Sequence, residues 1–173
     1  YVIVFGYIFG GSFGVLAGET KVDYGLGIFF GLSLYHFVSE VISGSPTLIV
    51  GNPNFVKKVV FPLEILPAAN VLGAAFHLMI SLTLVLSGVA LIGPGLALSV
   101  LWLPVVLLPV LLLLLGCSWV FSALGVFFRD IAPLLQFLSV ALMFASAVFY
   151  SAHTIPPELW TYMRFNPILL AIE

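Results

Sequence analysis

Between Ile65 and Phe128 the chain carries no Lys, Arg, Asp or Glu. Wound as one α-helix, that run would be on the order of 96 Å long at ~1.5 Å per residue. This is about three times the ~30 Å hydrocarbon core of a bilayer, so the run has to turn back on itself. Gly93-Pro94-Gly95 supplies the turn, because Gly and Pro favour turn geometry and end helices. The run therefore divides into spans at about 66–92 and 98–126. The second is long for a straight crossing. Either Pro104 and Pro109 kink it or its end runs beyond the bilayer.

The remaining charges fall in clusters: Glu19/Lys21/Asp23, Glu40, Lys57/Lys58/Glu64, Arg129/Asp130 and Glu158/Arg164/Glu173. Three further apolar segments, about 1–18, 24–43 and 131–151, lie between them. These runs are continuously apolar rather than alternating, which excludes barrel strands. Composition agrees: 7% of the residues are charged and 62% hydrophobic, against about 25% charged in a soluble domain, and the mean hydropathy is +1.28. A soluble enzyme and a disordered chain are excluded. So is a nucleic-acid binder, since the net charge is −2 and no basic patch exists. The single Cys excludes a disulfide framework and a thiolate metal site.

The expected fold is an all-α integral membrane protein. It is a polytopic helical bundle forming a single transmembrane domain over 1–173, with five spans visible of an expected six and short amphipathic interfacial helices. The first run lacks the basic flank of a signal peptide. The chain does not begin with Met, and Ile168–Glu173 looks like the approach to another span, so it reads as a piece of a longer protein. Lys57, Lys58 and Arg129 fall on one side of the membrane, and Lys21 and Arg164, offset by acids, on the other. The excess of cations puts the 44–64 loop in the cytoplasm.

Within the spans, Gly6, Gly10, Gly14 and Gly18 make one flat groove, suited either to packing within the subunit or to a subunit interface. Ser33, His36, Glu40 and Ser43 form a polar stripe. It is either an interfacial acid steadied by His36 one turn away or a proton relay. Asn70, Gly73, Ala74, His77 and Ser81 share one face, as do Gln136, Ser139, Ser146 and Tyr150. Such stripes serve as interhelical glue or line a water-filled path. Arg129 and Asp130 would form an adjacent ion pair at headgroup depth, either as a stop that fixes span depth or with Arg129 gripping a phosphate bidentately. Arg129, Asp130, Gln136 and Tyr150 are thus the candidates for the inner mouth and the substrate path.

The polar loop is the most informative segment. Asn52 can cap a short helix with Pro53 at its first position. Phe55, Val56, Val59 and Val60 then form an apolar face away from Lys57 and Lys58. Pro62 ends the helix by disfavouring α geometry at Phe61. This is a headgroup-anchored surface helix or a rod that docks a partner. A second short helix starts at Thr154-Ile155-Pro156-Pro157-Glu158, with Leu159, Trp160 and Met163 on an interfacial face, and Asn166-Pro167 breaks it. No GxxxxGK[ST] motif occurs, so the chain has no P-loop for ATP. Gly10-Gly11-Ser12-Phe13-Gly14 matches GxSxG, but inside an apolar span rather than on a strand-to-helix turn.

The strings NPNFVKKVVFPLEILP (52–67), FFRDI (127–131) and FYSAHTIPPELWTYMRFNPILLAIE (149–173) resemble the permease subunit of ATP-binding-cassette exporters of polysaccharides: the O-antigen, capsule and teichoic-acid group. The resemblance implies a multi-pass homodimer in the bacterial cytoplasmic (inner) membrane, paired with two copies of a separate ATPase that holds ATP and Mg. No cofactor is expected on this chain and no catalytic residue, so it is not itself an enzyme. The coupling loop would be Asn52, Pro53, Phe55, Lys57, Lys58, Val59, Phe61, Pro62 and Glu64. The 152–167 segment, with Pro156, Pro157, Trp160, Asn166 and Pro167, would gate the outer mouth. The substrate would be a lipid-linked glycan, with membrane lipids around the dimer and no nucleic acid. Two alternatives stay open: a same-fold exporter of drugs or lipids, and a non-transporting membrane scaffold.

Overall fold

The computed structural model describes residues 21–54, 62–91 and 98–145. All regular structure among them is helical: α1 (Lys21–Gly44), a 3-10 turn (Ser45–Thr47), α2 (Ile65–Leu91), a second 3-10 segment (Leu98–Trp102), α3 (Leu103–Phe127) and α4 (Ile131–Ala145). Stretches long and apolar enough to cross a membrane are Gly25–Thr47, Ile65–Leu91 and Val100–Phe127, while Ile131–Met143 is a shorter apolar helix. They coincide with the expected second, third and fourth spans and the start of the fifth. The expected first span, the Gly93-Pro94-Gly95 turn, the 55–61 stretch, Tyr150 and the 152–167 segment lie outside the described residues.

The helices form because an apolar segment in lipid must satisfy its own backbone. Their packing follows one stripe per helix. On α2 the buried residues are Pro67, Val71, Ala74, Leu78, Leu82 and Val85, a spacing of about 3.6 that keeps one face on its neighbours. Val71, Ala74, Leu78 and Leu82 join one core with Leu34, Phe37, Val38, Val41 and Ile42 of α1, Val110 and Leu114 of α3 and Leu135 of α4. On the opposite face of α2, Leu72, Phe76, Met79, Ile80 and Leu84 point outward, as suits a lipid-facing surface. Among the described spans α1 is the most enclosed: 61% of its apolar window is buried, against 22% for α2 and 11% for the Val100–Phe127 stretch.

The excess length expected of the fourth span has a local solution. Residues Leu98–Trp102 wind as a 3-10 helix, and the α-helix proper begins at Leu103 with a proline in its first turn. There the missing N–H of Pro104 would have had no intrahelical partner anyway. What remains is a 25-residue α-helix, about 38 Å long, which a tilted crossing accommodates.

Candidate functional site

The 44–64 loop has two roots, and α3 holds both. At the first root α1 winds on into the Ser45–Thr47 turn, where Ser45 and Pro46 are buried. Ser45, Ser118 and Ser122 are all fully buried, so their hydroxyls need partners. Each has one hydrogen to give. Ser45 Oγ donates to the Val41 carbonyl. Ser118 Oγ then donates to Ser45 Oγ at 2.8 Å. Ser122 Oγ lies 2.6 Å from the Ser118 carbonyl and 2.9 Å from the Ser45 carbonyl, so its proton serves both helices.

One turn further along α3, Gly125 lies against Pro46. A Cβ there would sit 2.0 Å from the Pro46 carbonyl oxygen, which no side chain tolerates. At the second root, Trp119 Nε1–H donates to the Glu64 carbonyl at 3.1 Å. Between the roots is an open, mainly apolar hollow of about 430 Å³ walled by Ile49, Leu63, Pro67, Trp119 and Ala123.

Of the loop residues singled out in sequence, Asn52, Pro53, Pro62 and Glu64 fall among the described residues, and Phe55, Lys57, Lys58, Val59 and Phe61 do not. Pro53 and Asn54 are helical. The Asn52 side chain acts differently from a simple cap: its Nδ2 donates backwards to the Leu48 carbonyl at 2.8 Å. Just before it the Gly51 N–H reaches the Thr47 carbonyl at 2.7 Å. The carbonyls of Pro62 and Leu63 accept from Ile65 and Leu66, so this proline also sets up the start of α2. Glu64 engages through its main chain while its side chain stays exposed.

The polar stripes sort differently from the reading within single helices. Ser33 and Ser43 bond back to the carbonyls of Phe29 and Ser39 in their own helix. Glu40 does not pair with His36. It reaches across to α2, where its two carboxylate oxygens lie 2.9 and 3.1 Å from His77 Nδ1. His36 is exposed, its ring tilted against Tyr35 at 5.5 Å. A turn below, Asn70 faces Gly44, and its Nδ2 is buried without a hydrogen-bond partner. Among the described residues no group of three or more His, Cys, Asp or Glu could hold a metal ion.

Residues 1–173 match the family model for the ABC-2 type transporter. The chain belongs to that family. An O-antigen export system permease protein RfbA from Klebsiella pneumoniae is 24% identical over 147 residues, covering 84% of this chain and 57% of the relative. The polysialic acid transport protein KpsM from Escherichia coli is 26% identical over 168 residues, covering 94% and 64%. RfbA from Myxococcus xanthus is 27% identical over 146 residues, covering 84% and 56%. The chain thus spans between about half and two-thirds of the length of these curated relatives.

In this ABC-2 membrane domain Arg129 and Asp130 occupy the α3–α4 turn after an extended Phe128. The expected ion pair between them is not formed. Both are exposed, and the carboxylate contact recorded among the described residues is instead the Glu40–His77 hydrogen bond. No hydrogen bond or ion pair to the Arg129 guanidinium is found among the described residues. Arg129→Lys separates its two roles. If charge alone fixes span depth, the export proposed below stays at the wild-type level in whole cells. If the guanidinium grips phosphate oxygens bidentately, that proposed export falls about tenfold while membrane insertion is unchanged.

The stripe on α4 also splits. Gln136 is exposed, while Ser139 is buried and donates to the Gln136 carbonyl. The sequence signal for the Ser118/Ser122/Gly125 face is small residues at i, i+4 and i+7 in the C-terminal half of a helix whose first half is mainly Leu and Val; no sequence pattern points to the Trp119 bond.

Proposed function

We propose that this chain is the membrane-spanning permease subunit of an ABC exporter that carries a lipid-linked polysaccharide across the bacterial cytoplasmic membrane. The observation that carries this reading is the match to the ABC-2 type transporter family along the whole chain, joined by relatives named for O-antigen export and polysialic acid transport. Two permeases pair with two copies of a separate ATPase, which binds ATP and Mg. The 44–64 loop lies in the cytoplasm and docks on that ATPase. The anchoring of both loop roots on α3 supports this role, because a docked loop moves a span only if its roots are fixed to one.

Deleting the gene should abolish surface polysaccharide, and the full-length gene in trans should restore it. Intact surface glycan together with lost drug resistance would transfer the assignment to the drug- and lipid-exporting branch. Topology is checked with single cysteines in a Cys117→Ala background, treated in intact cells with an impermeant thiol reagent. Positions 23 and 158 should label and positions 54 and 130 should not. Labelling at 54 without labelling at 158 would reverse the orientation.

A further inference from the structure

We propose that Glu40 and His77 line the translocation path and grip the hydroxyl groups of the passing substrate. This rests on the polysaccharide-export reading above. His77 sits near the middle of α2 (Ile65–Leu91), with roughly 18 Å of helix before it and roughly 21 Å after. That depth is inside the hydrocarbon core of a bilayer. Yet the described residues leave the pair open: the His77 and Glu40 side chains are 65% and 42% exposed. An ionisable pair facing lipid at this depth is strongly disfavoured, even though the exposed residues beside His77 on its face of α2, Ile80 and Leu84, are apolar. The face carrying Glu40 and His77 therefore looks onto something polar.

A second copy of the chain, packed tightly here, would desolvate both members of the pair. The local shape fits an open path better. Gly73 lies one turn before His77 on the same face, and a Cβ placed on it would meet no atom within 4 Å. This leaves a notch beside the pair, and His36 is exposed one turn before Glu40 on α1.

The hydrogen-bond chemistry of the notch is defined. The Glu40 carboxylate only accepts, so Nδ1 of His77 carries the proton between them. In neutral imidazole Nε2 is then an acceptor, and the carboxylate oxygens keep further lone pairs. The pair thus presents several acceptors side by side, complementary to neighbouring hydroxyl donors on a sugar ring. Such contacts can be exchanged one at a time as a chain slides past.

The test uses the full-length transporter in cells. Glu40→Gln removes the charge but keeps shape and one acceptor, and His77→Ala removes the donor and the free acceptor. Both should insert and recover the ATPase like the parent while surface polysaccharide falls about tenfold, the scale of one hydrogen bond to a charged group. A His77→Cys chain in the Cys117→Ala background should react with a charged, water-borne thiol reagent in membranes opened to both sides, and stalled glycan substrate should slow that reaction. Normal export in both variants, or a thiol at 77 inert to the reagent, overturns the inference while leaving the export reading in place. Oxidative cross-linking of two copies through position 77 assigns the face to the subunit interface instead, which also overturns it. Surface glycan that survives deletion of the whole gene overturns both readings.

Discussion

Gly125→Ala should cost this protein more stability than the same change at Gly44, Gly51, Gly73, Gly88 or Gly116. The new Cβ would lie 2.0 Å from the Pro46 oxygen, 2.7 Å from its carbonyl carbon and 2.8 Å from its Cα. These are backbone atoms in a buried 3-10 turn and cannot swing aside. Helix α3 has to withdraw, and the Ser45–Ser118 and Ser122–Ser45 hydrogen bonds lengthen with it. Overpacking costs about 1–3 kcal/mol, and each strained hydrogen bond adds roughly 1 kcal/mol. A total of about 3 kcal/mol corresponds to a fall in melting temperature of roughly 6–12 °C for a chain of this size. Gly116→Ala is the control on the same helix: its Cβ would meet nothing within 4 Å. The measurement is thermal unfolding of the two variants in the same detergent. Equal melting temperatures would mean that α3 and the Pro46 turn are not in contact.

The second large effect concerns the loop itself. If it docks on an ATPase, Phe55, Val59 and Phe61 fill an apolar slot there, and Lys57, Lys58 and Glu64 sit around its edge. An aromatic anchor at the centre of an interface is worth about 2 kcal/mol or more, a rim charge much less. Phe55→Ala should therefore weaken recovery of the complex about thirtyfold, and Lys58→Ala only severalfold at most. The readouts are co-purification of the ATPase and substrate-stimulated ATP hydrolysis. If both variants match the parent in both assays, the helix is a surface anchor in the headgroups and the force enters elsewhere.

The limits of the spans were legible because lipid makes a harsh filter. A helix in hydrocarbon satisfies its own backbone and excludes charge, so charge clusters mark span ends. The α2 helix runs Ile65–Leu91 where the uncharged run predicts about 66–92. What hydropathy did not convey was position in the bundle. The most apolar stretch, Val100–Phe127 with mean hydropathy 2.7, is only 11% buried, while Gly25–Thr47 at 1.5 is 61% buried. In a bilayer the greasiest helix is the one that faces lipid, and the helix with polar and small residues goes inside.

Partner choice was equally hidden. Glu40 has His36 one turn away on its own helix, and helical periodicity favours that pair. The closer match came from His77, 37 residues later, because α1 and α2 lie side by side. The Ser45–Ser118 contact joins residues 73 apart. No local pattern specifies such a pair. Only the two small-residue faces, each unremarkable alone, hint that the backbones come close.

Tethering both roots of the loop to one helix also changes what a partner has to do to seize it. A chain segment with free ends loses much of its conformational entropy on capture, and that loss is charged against the affinity. Here closure of the loop is completed when α3 packs, so the loss falls on folding rather than on docking. The same arrangement makes the loop a closed ring on α3, anchored at Pro46 and at Glu64. Tension on any point of that ring ends at Trp119 and Gly125, on adjoining turns of a single span, whatever shape the ring adopts in between.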